Sequence, residues 1–219
     1  MLYEIGDKVL DEWVITRTIG EGSYGKVVEI ERNEFGLSMK SALKIISIPG
    51  NNSELKAVMG EGVDNKSITS YFYGFVEEII KEIAIMSELK GHTNIVTYED
   101  HRVIPHEDHI GWDILIRMEL LTSLLDYSEE HEITEQTVIK LGTDFKLGDF
   151  GIARTIEKTT FGMSKKGTYP YMAPEIYQGK ESDILVDMYS LGLVMYRMLN
   201  DNRLPFFPEY PKKVTYVDR

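Results

Sequence analysis

Between Trp13 and Ile48 the apolar positions fall into three short runs separated by turn signals. Trp13 to Ile19 and Lys26 to Glu31 gather β-branched residues on either side of a glycine-rich turn. Asn33-Glu34-Phe35-Gly36 then reads as a hairpin turn leading into Met39 through Ile46. This pattern predicts an antiparallel meander. From Ile48 to about Ser70 the chain carries Pro49-Gly50-Asn51-Asn52-Ser53 and further glycines, which reads as a polar loop with at most a helical turn. Phe75, Ile79, Ile83, Met86 and Leu89 recur at intervals of three and four, predicting an amphipathic helix that ends at Gly91. Two more strand-like runs follow, Ile95 to Ile104 and Trp112 to Leu120.

The second half is patterned differently. Thr134 can cap a helix, with Ile133 and Val138 at the positions of a hydrophobic staple, but the pattern stops at Leu141 after about two turns. A helix that short is marginal alone. Asp187 to Leu199 carries Met188, Leu191, Leu193, Val194, Met195, Tyr196, Met198 and Leu199, apolar on nearly every side, so it is expected to be buried all round. Asn200 to Arg219, punctuated by Pro205, Pro208 and Pro211, reads as an irregular tail. There is no internal repeat.

Composition narrows the function. A hydrophobic fraction of 42% over 219 residues is ordinary for a globular chain of one large domain or two small lobes. The formal charge of -12 would repel a phosphate backbone, which argues against nucleic-acid and anionic-membrane partners and leaves proteins or nucleotides. No apolar run is long enough to cross a bilayer, and the first residues show no secretory signal. With no cysteine there is neither a disulfide nor a thiolate metal site, and a cytoplasmic location is expected.

Chemistry is suggested first by Gly20-Glu21-Gly22-Ser23-Tyr24-Gly25-Lys26-Val27, a glycine spacing that lets backbone amides approach phosphates with no Cβ in the way. An isolated match of this kind is about as often a plain turn between strands. Here Ala42-Leu43-Lys44 follows on the next predicted strand, where a lysine can reach the phosphates. His106-Glu107-Asp108-His109 has the composition of a metal cluster, but it lies in a polar connection between strands and reads as a solvated loop.

Together these motifs resemble the protein kinase family, over about Trp13 to Pro208. The resemblance rests on the glycine-rich turn, Lys44, Glu82 on the amphipathic helix, His92-Thr93-Asn94-Ile95-Val96, and Met118-Glu119-Leu120-Leu121 at a strand end. It continues through Asp149-Phe150-Gly151, Gly167-Thr168, Tyr171-Met172-Ala173-Pro174-Glu175, and Asp187 with Tyr189-Ser190-Leu191-Gly192. Gly167-Thr168 leans toward the serine/threonine branch.

The resemblance implies a two-lobed α+β fold: a five-stranded antiparallel sheet with one helix, then a depleted, mostly helical lobe. It divides the chain into an extension over 1–12, a first lobe and hinge over 13–121, and an incomplete second lobe over 122–219 with an activation segment at about 149–175. It implies ATP and Mg2+ as cofactors. Ile19, Gly20, Gly22, Gly25, Val27, Ala42, Lys44, Met118, Glu119 and Leu121 would contact nucleotide, Glu82 would orient Lys44, and Asp149 would hold the metal. Thr159, Thr160, Ser164 and Thr168 are hydroxyls that could accept phosphate and order the segment against Lys165, Lys166 or Arg154.

One departure from the family pattern dominates. The 30 residues separating Glu119 from Asp149 are roughly half the family's interval, and they contain no His-Arg-Asp and no downstream asparagine. Without the aspartate, the general-base contribution alone falls by about 10²- to 10⁴-fold. Without the asparagine, a ligand of the second magnesium is missing. One lost leucine-sized contact under the adenine costs roughly 1.5 to 3 kcal/mol, or about one to two decades in nucleotide affinity. The expectation is an inactive or severely impaired kinase, with a pseudokinase acting as a nucleotide- or protein-binding module as the alternative. Glu175 is expected to lack the arginine it pairs with in the family, and the helix from Asp187 to expose an apolar face that favours self-association.

Overall fold

Cross-strand pairing turns the alternation near the amino terminus into a curled sheet in the computed structural model, which describes residues 3–22, 25–59, 64–140, 144–148, 169–179, 185–200 and 203–205. The strands are β1 (Lys8–Val9), β2 (Trp13–Gly22), β3 (Gly25–Glu34), β4 (Leu37–Ile48), β5 (Tyr98–Pro105) and β6 (Trp112–Met118). They lie in the order β1-β2-β3-β4-β6-β5, every neighbouring pair antiparallel. The five expected strands are thus joined by a two-residue edge strand, too short for alternation to announce.

Because side chains alternate between the faces of a strand, the sheet builds two cores. One face gathers Val9, Trp13, Ile15, Val28, Ile30, Leu43, Ile45 and Leu115, with Tyr3 and Leu10 of the leading segment packed against them. The other carries Ile48, Ile114 and Ile116 and is covered by helix α2 (Asn65–Glu88) through Ile68, Phe72, Val76 and Ile83.

That helix begins ten residues earlier than Phe75, where periodicity placed it. Asp64 caps it by accepting the Ser67 amide at 2.7 Å, and Ile68, Phe72 and Val76 extend the buried stripe at intervals of four. Phe75 is left on the exposed side, one position off that stripe. A short helix α1 (Asn52–Val58), capped by Asn51, occupies part of the region read as loop.

The chain divides into two compact units, one holding the described residues up to 121 together with 146–148, the other holding the rest. The second contains α3 (Leu124–Glu130), capped by Ser123, and α4 (Glu135–Ile139), where Thr134 and Thr137 cap each other reciprocally. After a 3₁₀ turn at Tyr169–Tyr171 come α5 (Pro174–Tyr177) and α6 (Leu185–Leu199). The carbonyl of Tyr171 accepts a hydrogen bond from Ser190 Oγ at 2.8 Å, and its hydroxyl accepts one from Arg197, so the turn is tied to α6 at two points.

The expected burial of α6 on all sides is not what this unit achieves. Among its described residues only Leu193 is buried, while Leu185, Met188, Tyr189, Leu191, Tyr196 and Leu199 are exposed. The neighbouring elements α4 and the 3₁₀ turn are too short to wrap a four-turn helix.

Candidate functional site

The glycine-rich turn closes the β2–β3 hairpin. Gly20 faces Val27, and Gly22 faces Gly25. Gly25 has φ +115°, and a Cβ there would lie 2.2 Å from the Ile45 carbonyl oxygen, so this glycine is fixed by the close approach of β4. Gly20 differs: a Cβ would meet nothing within 4 Å, so the chain leaves open space beside it. Ser23 and Tyr24 at the tip lie outside the described residues. Ile19 is half-buried on β2.

Register assembles the next group. Lys44 on β4 is paired with Val27 on β3 and with Ile116 on β6, while Ala42 is paired with Glu29 and with Met118. Directly paired residues share a face, so Val27, Ala42, Lys44 and Met118 line one side of three adjacent strands. It is the side that α2 covers further along, and Glu82 is half-buried on that helix. Lys44 is only 8% exposed, its aliphatic stem enclosed by the sheet.

Glu29 joins this face and was not foreseen. Arg17 at 3.0 Å and Lys40 at 2.8 Å lie over its carboxylate. Hydrogen bonds from Lys40 and then Arg17 hold its carboxyl below the usual carboxylate range. The motif reading had no use for an acidic residue at this strand position, although alternation places it beside Ala42.

At the end of β6 the chain makes a second connection. Glu119 donates its amide to the Thr97 carbonyl at 3.0 Å and receives the Thr97 amide on Oε1 at 2.6 Å. Lys146 Nζ reaches both Glu119 oxygens, at 2.7 and 2.8 Å. Burial pushes the Glu119 carboxyl up, but the bonds from Lys146 and Thr97 outweigh it and hold the group low. Beside this pair Leu147 bridges Ile95 in parallel: Val96 donates to the Leu147 carbonyl at 2.9 Å, and Leu147 donates to the Asn94 carbonyl at 2.7 Å. Leu121, two residues past Glu119, is exposed.

Val27, Ala42, Lys44 and Met118 are therefore brought onto one face, with Glu119 at the strand end beyond them. Asp149, Phe150 and Gly151 lie outside the described residues, as do Arg154, Thr159, Thr160, Ser164, Lys165, Lys166 and Thr168. Among the described residues no ion pair reaches Glu175, and Asp187 is exposed at the start of α6.

The His106-Glu107-Asp108-His109 segment forms the tip of the β5–β6 hairpin, and His106 is not solvated as expected. It turns inward, its Nε2 lying 3.0 Å from Oδ1 of the fully buried Asp113, close enough to pair though not aligned for a hydrogen bond. No group of three or more histidine or carboxylate side chains suited to a metal occurs among the described residues. No described helix is long and apolar enough to cross a membrane.

A two-faced curled sheet, with one long helix on the face that carries Lys44 and a glycine-rich hairpin at its edge, fits a kinase-like α+β fold. Comparison with known proteins agrees. Residues 133–217 match the family described as protein kinase domain. The chain is 26% identical over 197 residues to serine/threonine-protein kinase AtPK1/AtPK6 of Arabidopsis thaliana, with 87% of this chain and 42% of that protein covered. It is 26% identical to serine/threonine-protein kinase TIO of the same plant, covering 86% of the chain and 15% of the relative. With serine/threonine-protein kinase Nek5 of Homo sapiens it shares 27% identity over 86% of the chain and 28% of the relative. The chain thus spans less than half the length of each of these relatives. Over 133–217 it is similar to the protein kinase domain, and the relatives named are serine/threonine kinases.

Proposed function

We propose that this chain is a nucleotide-binding domain of serine/threonine kinase descent that binds ATP with Mg2+ through its first lobe and transfers phosphate to protein negligibly or not at all. Lys44 contacts the phosphates and Glu82 orients it, while Ile19, Gly20, Gly22, Gly25, Val27 and Ala42 enclose the nucleotide. Met118, Glu119 and Leu121 border the adenine. Because the Glu119 carboxylate is occupied by Lys146 and Thr97, its adenine contact comes from main chain. Asp149 supplies the carboxylate for Mg2+, whose bound ion would neutralise phosphate charge.

One observation carries this reading. The face bearing Val27, Ala42 and Lys44 is assembled, whereas the chain between Glu119 and Asp149 contains neither His-Arg-Asp nor the metal-binding asparagine. Asp144 is a poor substitute base, since it follows a five-residue helix and lies five residues before Asp149.

The expected result is no phosphate transfer to a generic basic protein, together with an Mg-ATP-dependent rise in melting temperature that disappears in Lys44→Ala. Transfer that Lys44→Ala abolishes would refute inactivity, and an absent thermal shift would refute binding. A deletion product and a settled pseudokinase share this biochemistry. Motif-like residues running up to both sides of Asp144-Phe145 favour the deletion, which the transcript sequence across those codons tests. The domain is placed in the cytoplasm, and the exposed face of α6 supports self-association.

A further inference from the structure

We infer that the leading segment 3–12 braces the glycine-rich hairpin from the sheet face opposite Lys44, with Tyr3 and Lys26 as its positioning residues. This inference rests on the nucleotide-binding reading above.

The segment is attached to four strands. Gly6 donates to the Ile15 carbonyl at 2.8 Å and Ile15 to the Asp7 carbonyl at 3.0 Å, which extends the pairing of β1 with β2. Val9 is buried, and Tyr3 and Leu10 pack against the same core. Tyr3 then makes two longer-range bonds: its carbonyl accepts from Lys26 Nζ at 2.8 Å, and its hydroxyl donates to Asp113 Oδ2 at 3.1 Å. Arg102 donates to both oxygens of Asp11, at 3.1 and 2.8 Å, and so joins the β1–β2 turn to β5 at the opposite edge of the sheet.

Alternation decides what this attachment acts on. Lys26 and Val27 are consecutive on β3, so their side chains leave opposite faces. Val27 shares the face of Lys44, while Lys26 shares that of Val28 and Ile30, where Tyr3 lies. Past Lys26 only Gly25 remains before the β3 end of the hairpin, and Gly20 and Gly22 stand on the strand opposite. Three glycines leave the hairpin few side chains to pack, and such a segment opens at low cost. The charged bond from Lys26 therefore restrains it at its base. Tyr3 passes that restraint to Asp113, which is fully buried on β6 and also accepts from Ser47 of β4. Burial and the Asp113 carboxylate push the Tyr3 pKa well up, so its hydroxyl remains the donor.

The consequence falls on the nucleotide without touching it. Val27 encloses the ligand on one face of β3, while its neighbour Lys26 is held from behind. Freeing Lys26 lets the hairpin open more often, so nucleotide leaves faster although Lys44 is unaltered.

The test uses the full chain with a fluorescent ATP analogue, alongside hydrogen exchange of the peptide covering 25–30 with that covering 98–105 as reference. Lys26→Met keeps the aliphatic stem and removes the donor. It should raise the dissociation constant about fivefold and speed exchange in 25–30 while leaving 98–105 unchanged. Tyr3→Phe, which keeps the ring in the core, should act in the same direction. The double variant should lose little more than the larger single loss, because both changes act on one brace. Lys26→Arg, which keeps a charged donor, should restore affinity and exchange. Wild-type affinity in Lys26→Met would overturn the positioning role, and unchanged exchange in 25–30 would overturn the brace. Exchange that rises equally in 98–105, or losses that simply add in the double variant, would also overturn it. If the wild-type chain binds no nucleotide, the nucleotide reading fails, while exchange in 25–30 still decides the brace by itself.

Discussion

Gly25 and Ile45 sit so close across the β3–β4 ladder that a methyl group on Gly25 would lie 2.2 Å from the Ile45 carbonyl oxygen. The obstacle is backbone in the middle of a sheet, so it cannot swing aside, and the +115° φ of Gly25 is itself unfavourable for any L side chain. Gly25→Ala is therefore expected to cost about 2 kcal/mol or more, seen as a drop of roughly 4–8 °C in melting temperature. Gly20→Ala meets no atom within 4 Å and should leave stability nearly unchanged. Equal melting temperatures for the two variants would contradict this assignment.

Phe35 offers the opposite case. It forms the β3–β4 turn with Gly36, both at positive φ (49° and 83°), and its ring is fully exposed. A two-residue hairpin turn of this hand favours Asn-Gly. Phe35→Asn should raise stability by about 0.5–1 kcal/mol without affecting nucleotide affinity. A lower melting temperature would show that the ring has a contact role.

The sheet was legible because alternation and turn chemistry agreed: Phe35-Gly36 fell where the turn was read, and Lys44 lies on the strand that follows the glycine-rich hairpin, as expected. The start of α2 was not legible, because Ile68, Phe72 and Val76 lie among polar residues next to a glycine-bearing stretch, and only the Asp64 cap marks the boundary. His106 looked like a loop residue because its neighbours are polar. Its inward turn depends on Asp113, on the following strand, which no local pattern reveals. Lys146 was passed over for a similar reason, since its partner Glu119 is distant in sequence.

Asp113 gives the fold a dependence on acid. Its buried carboxylate accepts from Ser47 Oγ at 2.6 Å and from Tyr3 Oη at 3.1 Å. Burial pushes its pKa up, yet the bonds from Ser47 and Tyr3, together with the nearby His106 ring, win and the net direction is down. A carboxyl whose folded pKa is depressed adds stability above its unfolded value of about 3.9, and that stability is lost as pH falls through the lower folded value. Glu119 works in the same sense from an unfolded value of about 4.3. Asp113→Ala should cost about 2–4 kcal/mol at neutral pH, since it leaves Ser47 without this acceptor. Urea unfolding followed from pH 7 to pH 3 should show a shallower acid limb in the variant than in the wild type. Parallel limbs would mean that Asp113 is not held low by these partners.

The outer stripe of α6 bears on how the chain behaves in solution. Leu185, Met188, Tyr189, Tyr196 and Leu199 fall within a band about 100° wide at helical spacing, with Gly192 near its centre. All five are exposed, and the space beside Gly192 is open. A stripe of that width normally packs against another element. A second copy suits it, because the glycine lets two helices approach closely. Sedimentation velocity on the wild-type chain should show concentration-dependent association. Met188→Lys with Leu199→Lys should shift the population toward monomer without lowering the melting temperature, since neither side chain lies in a core. A wild-type chain that sediments as a single monomeric species at every concentration would remove the basis for assigning this face to self-association.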